Sequence, residues 1–259
     1  MALPTTFFGW VGFIISEYSE LLIGGLLSTL KIALLGTAIG FLLGLLVAIL
    51  RTIPIEEGDS ALRKTLLRIL RGILNIYIEV FRGTPMMVQA MVIYYGSLQV
   101  LGIDMSPGFA GILIVSINTG AYMAEIIRGG IISIDAGQKE AAYSIGMTHW
   151  QSMVHVILPQ AIRNILPSVG NELIVNIKDS SVLNVIGVSE LYFMGKSAAG
   201  TYLKYFETYF IIAVIYLILT YATSRLLAWL ERRMDGPAHY TIHGSQSSSK
   251  ASIVVKGGE

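Results

Sequence analysis

Glu172, Lys178 and Asp179 stand in the string GNELIVNIKDSSVL, residues 170–183, inside an otherwise apolar stretch. Glu172 and Asp179 are seven residues apart. In a helix that is nearly two turns, so both carboxylates point the same way, about 10 Å apart along the axis. Asn176 joins that face approximately. A charge at the centre of a bilayer costs at least ~2.5 kcal/mol on insertion scales, so acids there are either paired or used. The chemistry open to these two is to hold an ammonium or guanidinium group, or to relay an ion. Lys178 points about 100° away from Asp179 and suits either a carboxylate ligand or neutralisation of its neighbour. A second apolar run carries Asn118, Thr119, Gly120, Tyr122 and Glu125. Asn118 and Tyr122 are its candidates for lining a polar path.

Other chemistries are excluded. The chain has no cysteine, so disulfides, thiolate catalysis and zinc–thiolate sites are ruled out. The four histidines, His149, His155, His239 and His243, do not form a ligand set. No phosphate-binding G-x-x-x-x-G-K-[ST] loop occurs. Gly195-Lys196-Ser197 is a fragment of one, with Glu190 where its first glycine would stand. No arrangement suggests nucleophilic catalysis, no metal site is expected, and a net charge of +1 gives no reason to expect nucleic acid.

The elements that must position these residues are set by hydropathy. The 259 residues are 54% hydrophobic and only 14% charged, against about 25% charged in soluble domains. A span needs about twenty apolar residues. Five are predicted, at about 21–50, 75–101, 109–127, 161–188 and 205–229. Together they make an all-α integral membrane domain over 1–235, followed by a Gly-, Ser- and Lys-rich tail, 236–259, expected to be disordered. No Lys or Arg occurs in Met1–Gly12, so the first apolar run reads as a retained span rather than a signal peptide. Gly36, Gly40 and Gly44 form a small-residue stripe that would let another helix approach closely. Ala61–Leu74 is a basic amphipathic helix suited to an anionic membrane surface. In the second span, Glu79 and Arg82 are three apart and are expected to pair. Pro167 and Gly170 predict a kink in the fourth span, and 189–204 reads as a polar connection with room for a short helix.

Between the third and fourth spans lies a polar island, EAAYSIGMTHWQSMVHVILP, residues 140–159. Glu140-Ala141-Ala142 favours helix. Gly146 is where the chain can bend, and Pro159 suits the first turn of a following helix. Two short helices joined at a glycine are predicted. The island closely resembles the EAA loop of importer-type ABC-transporter permeases: Glu140, Ala141, Ala142, Gly146, Leu158 and Pro159 match its pattern, and Val156 stands where isoleucine is usual. The string Phe81-Arg82-Gly83-Thr84-Pro85, followed by Val88-Gln89, and the segment 170–183 resemble the subgroup that imports polar amino acids, of the histidine, glutamine and arginine type.

Charge gives the orientation without using that resemblance. With five spans, one face holds Arg51, Arg63, Lys64, Arg68, Arg71, Arg128, Lys139, Arg163, Arg225, Arg232 and Arg233, and the tail adds Lys250 and Lys256. The other holds only Lys196 and Lys204. The positive-inside rule makes the first face cytoplasmic, leaving the N-terminus outside, the C-terminus inside and residues 140–159 on the side of ATP.

The resemblance implies a multi-pass permease subunit of the bacterial cytoplasmic membrane, an importer component and not an enzyme. It implies no cofactor on this chain, with ATP and Mg bound by a partner. The implied partners are a cytoplasmic ATPase dimer, a second permease subunit, an extracytoplasmic amino-acid-binding protein and membrane lipid. Residues 140–159 would couple the spans to the ATPase, and closure of that dimer would switch them between inward- and outward-facing states. The rival is a secondary transporter or channel using Glu172, Lys178 and Asp179 as an ion relay. It leaves the island at 140–159 without a role, and the chain lacks the internal repeats common in such folds.

Overall fold

The computed structural model describes residues 3–234, 241–243 and 252–254. The chain is built of helices: α1 (Phe7–Glu17), α2 (Ser19–Thr52), α3 (Ala61–Gly83), α4 (Met86–Leu101), α5 (Pro107–Ile132), α6 (Ala136–Ser144), α7 (His149–Ser152), α8 (Leu158–Asp179), α9 (Leu191–Tyr202) and α10 (Tyr205–Met234). A π-helical turn, Met153–Ile157, joins α7 to α8, and a 3₁₀ turn, Ser180–Ile186, follows α8. Of the tail expected to be disordered, Thr241–His243 and Ser252–Val254 pair as antiparallel β1 and β2; the remainder lies outside the described residues.

Three helices, Ser19–Thr52, Pro107–Ile132 and Tyr205–Arg233, are long and apolar enough to cross a membrane. The other two predicted spans are more complicated. Instead of one span over 75–101, the basic amphipathic segment and the first half of that span form a single helix, α3, and the second half is a separate helix, α4. Pro85 enforces the break. It has no N–H for the helical ladder, and it holds the preceding Thr84 in an extended conformation (φ −124°, ψ 149°). The fourth span is helical through Pro167 and tightens into the 3₁₀ turn at Ser180. An additional short helix, α1, precedes the first span.

The centre of the bundle is the contact of α2 with α5. Gly36, Gly40 and Gly44 lie against Val115, Thr119 and Met123. Each step is four residues on both helices, so the two run side by side in constant register. A β-carbon on Gly40 would come within 2.7 Å of Thr119 Cβ. In lipid, close van der Waals packing replaces the hydrophobic drive between helices, and the glycine stripe permits it. Tyr77 ties α3 to this pair by donating its hydroxyl to the carbonyl of Ile117, 2.6 Å away.

The far end of the bundle is closed by Glu190, which is fully buried. Its carboxylate caps α9, accepting from the N–H groups of Phe193 (2.7 Å) and Tyr192 (2.9 Å) and from the Tyr216 hydroxyl (2.9 Å). The hydroxyl of Thr29 accepts from Leu191 N–H at 3.2 Å, joining α2 to the same point. Gly195-Lys196-Ser197 lies within α9 rather than in a loop.

Candidate functional site

The segment 136–159 begins with a helix that is made to stop. Asp135 caps the start of α6 by accepting from Gly137 N–H at 2.7 Å. At the far end Gly146 takes a left-handed conformation, φ +84°. Its N–H bonds to Tyr143 O (2.9 Å), and the next N–H, of Met147, reaches back to Ala142 O (3.1 Å). This is the Schellman arrangement, and its positive-φ position favours glycine. The chain restarts at Thr148. The Thr148 hydroxyl accepts from Gln151 N–H (3.3 Å), and the Gln151 side-chain carbonyl accepts from Thr148 N–H (2.9 Å), a reciprocal capping box.

The second half of the segment is not the separate short helix expected there. From His149 the chain stays helical through the π turn and into α8. The widened turn lies just before Pro159, whose ring excludes the ordinary bond to the carbonyl four residues back. Met153, Ile157 and Leu158 are buried against Leu45, Ile49, Ile131 and Ile134, which fastens this half of the segment to the ends of α2 and α5. Ala142 is buried, whereas Glu140, Ala141, Gly146 and Pro159 are exposed. Tyr143, Ile145 and Trp150 are exposed too, by 42%, 77% and 58%, and form an uncovered apolar surface around the bend. The Tyr143 hydroxyl meets His149 Nδ1 at 3.1 Å. Burial holds the His149 pKa below the ordinary histidine value; Lys139 lowers it further and Glu56 opposes.

The carboxylates of α8 lie where helical spacing puts them. Glu172 is half-buried and Asp179 exposed, and among the described residues neither has a basic side chain within ion-pairing distance. Asn176 does not share their surroundings. It is buried, and its amide donates to the hydroxyls of Thr37 (2.8 Å) and Thr119 (2.9 Å), joining α8 to α2 and α5.

The candidates on α5 divide. Asn118 is committed to the frame: its amide donates to the Gln89 side-chain carbonyl (2.8 Å) and, at 3.3 Å, to Phe81 O. Gln89 in turn donates to Phe81 O (2.9 Å), Thr84 O (2.8 Å) and the Thr84 hydroxyl (2.9 Å). The string Arg82-Gly83-Thr84-Pro85 thus acquires a physical account. It is the break between α3 and α4, and Gln89 and Asn118 satisfy carbonyls that the interrupted ladder leaves free. The expected Glu79–Arg82 pair does not form. Arg82 lies over the ring of Tyr122, 5.5 Å from its centroid.

Sequence reasoning passed over two groupings. Gln89 was legible only as part of the string that resembles the polar amino-acid subgroup, and its partners were not. Glu125 was legible as a charge inside an apolar run, but its partners were not: it pairs with Arg51 at the end of α2 and with Arg128, at 2.8 Å, one turn along α5.

Residues 60–236 match the family model described as the binding-protein-dependent transport system inner membrane component. The chain is 41% identical over 217 residues to the glutamine transport system permease protein GlnP of Escherichia coli, covering 83% of this chain and 93% of that one. It is 35% identical over 210 residues to the arginine transport system permease protein ArtQ of Bacillus subtilis, covering 81% and 90%. Among solved structures, a chain from the crystal structure of an amino acid ABC transporter with histidines superposes with a TM-score of 0.76 at 41% identity, over 89% of this chain and all of that one. The MetNI methionine ABC transporter in an inward-facing form shares the fold, with a TM-score of 0.69 at 22% identity over 84% of this chain and 97% of that one. The ion-relay reading finds no support among these relatives. The chain belongs to the inner membrane components of binding-protein-dependent transport systems, and it is a permease subunit of an ABC transporter, in which ATP is hydrolysed on a separate chain.

Proposed function

We propose that this subunit imports polar amino acids, working beside a second permease subunit, with two cytoplasmic ATPase subunits below and an extracytoplasmic binding protein above. The substrate class is supported by the names of the relatives, one a glutamine and one an arginine permease. It is supported also by Glu172 and Asp179, two carboxylates without basic partners among the described residues. Five spans are supported by the apolar runs, with α3 and α4 together making the second crossing, and the charge bias supports an N-terminus outside.

The observation that carries the coupling role is the apolar surface of Tyr143, Ile145 and Trp150 around the Gly146 bend. A surface of this kind, on a rigid, doubly capped turn, marks a protein contact. Glu140, Ala141, Ala142 and Gly146 shape and present it, while Leu158 and Pro159 anchor and redirect the chain into α8. ATP-driven closure of the ATPase pair would move this turn, and the continuous helix from His149 to Asp179 would carry the motion to Glu172 and Asp179.

The test is ATP-driven uptake of glutamine and arginine into sealed vesicles containing this chain and its ATPase subunit. Ile145→Glu is the informative variant, because the side chain is 77% exposed and its loss should leave the fold intact. Uptake and ATPase stimulation should both fall while membrane insertion is unchanged. Wild-type uptake by this variant would remove the coupling role from the loop, and uptake without any ATPase subunit would remove the importer reading altogether.

A further inference from the structure

A cavity of about 560 Å³ opens between the outer parts of α2 and α5 and the turn Gly187–Ser189. Lys31, Ser28, Ser106 and Ser189 line it, with Ile32, Phe109, Ile112 and Val188. Among the described residues no acid lines it, and no carboxylate lies within ion-pairing distance of Lys31.

Its depth can be read from the helices. Lys31 and Arg51 are on one helix, α2, twenty residues apart. That is about 30 Å of rise, close to the ~30 Å thickness of a bilayer's hydrocarbon core. Arg51 is held at the inner end by Glu125. The α2–α5 register of Gly36 on Val115 and Gly40 on Thr119 sets Lys31 level with Ala110, one turn inward of Ser106. In the proposed orientation, on which only the choice of leaflet rests, Lys31 lies at the outer boundary between hydrocarbon and headgroups.

The cavity is ordered along that depth. Ser28 and Ser106 are its outer members on α2 and α5, whereas Ile32, Phe109 and Ile112 lie inward of them. Below Lys31, on the same face of α2, Leu35, Ile39, Leu42 and Leu46 are exposed by 41%, 41%, 63% and 55%. A cation and serines above an apolar track match an anionic headgroup above its acyl chains, and a free anion would have no use for the track. From this juxtaposition we infer that the Lys31 cavity binds the phosphate of an anionic phospholipid, with an acyl chain lying along Leu35–Leu46.

Native mass spectrometry of the purified full-length chain tests this. Phosphatidylglycerol and phosphatidylcholine with identical acyl chains are offered in turn. The wild type should retain phosphatidylglycerol about fivefold better, since one lysine near an anionic surface contributes on the order of that factor. Lys31→Met should abolish the preference and Lys31→Arg keep it, with the melting temperature unchanged in both. Equal retention of the two lipids by the wild type would overturn the proposal, as would a preference that survives Lys31→Met. Inorganic phosphate is the competing arm. Failure to displace phosphatidylglycerol supports the lipid assignment, and displacement at millimolar concentration overturns it in favour of a free-anion site.

Discussion

The side-chain amide of Asn176 on α8 donates to the hydroxyl of Thr37 on α2 at 2.8 Å, across 139 residues of chain. The same amide donates to Thr119 on α5 at 2.9 Å, and all three residues are buried. One polar knot thus joins the helix that bears Glu172 and Asp179 to the α2–α5 pair. Interhelical hydrogen bonds in membranes average about 0.6 kcal/mol. Asn176→Ala should therefore destabilise the chain by about 1 kcal/mol, read as a lower melting temperature in detergent. Thr37→Val should cost less, because Thr119 still accepts. The double variant should cost less than the sum, since the two share a bond. Strict additivity would mean that the hydroxyls find other partners as readily as this one.

Substrate charge should be read by α8. Asp179→Asn removes a carboxylate that has no basic partner among the described residues, so the bundle loses no ion pair. Arginine uptake by the full transporter should fall about tenfold, the order expected when a hydrogen bond to a charged group is lost, and glutamine uptake should fall less. Glu172→Gln should act in the same direction, and the pair should be less than additive because both address one ligand. Equal losses for the two substrates would make these carboxylates structural, and the search would turn to Tyr122 and Arg82, which stack on one another.

The loop should weaken in acid. The ordinary histidine value is 6.5, and His149 in the folded loop lies below it, chiefly through burial. The unfolded loop therefore takes up its proton first as pH falls. By linkage, the loop's stability is intact above pH 6.5 and declines as pH drops through the window between the two values. Hydrogen exchange at Tyr143–Thr148 should accelerate across that window. His149→Gln should flatten the dependence, whereas an unchanged profile in that variant would place the titrating group elsewhere.

Local chemistry determined much of this protein by itself. Apolar runs about twenty residues long sufficed for a helical membrane domain, because backbone polar groups cannot go unpaired in lipid and the helix pairs them within one segment. Gly146 was legible as a bend, since it acts through its own backbone geometry, whereas Pro159, read as a helix start, lies in a chain already helical from His149. The four-residue glycine stripe announced a close helix contact but not that α5 would fill it. Charge counts fixed an expected orientation, because they need no knowledge of neighbours.

The tertiary structure decided which polar residues are committed and which are free. Asn118 and Tyr122 read alike along the chain. Only packing shows that the Asn118 amide is tied to Gln89 and Phe81 while the Tyr122 ring lies under Arg82. Asn176 shares a helix with Glu172 and Asp179, yet it faces Thr37 and Thr119 because α2 and α5 converge there. Arg82 is three residues from Glu79, but it lies over the ring of Tyr122 on another helix instead of pairing with that acid. Periodicity gives the direction of a side chain on its own helix. It does not say what stands opposite, because that depends on contacts between segments as much as 162 residues apart.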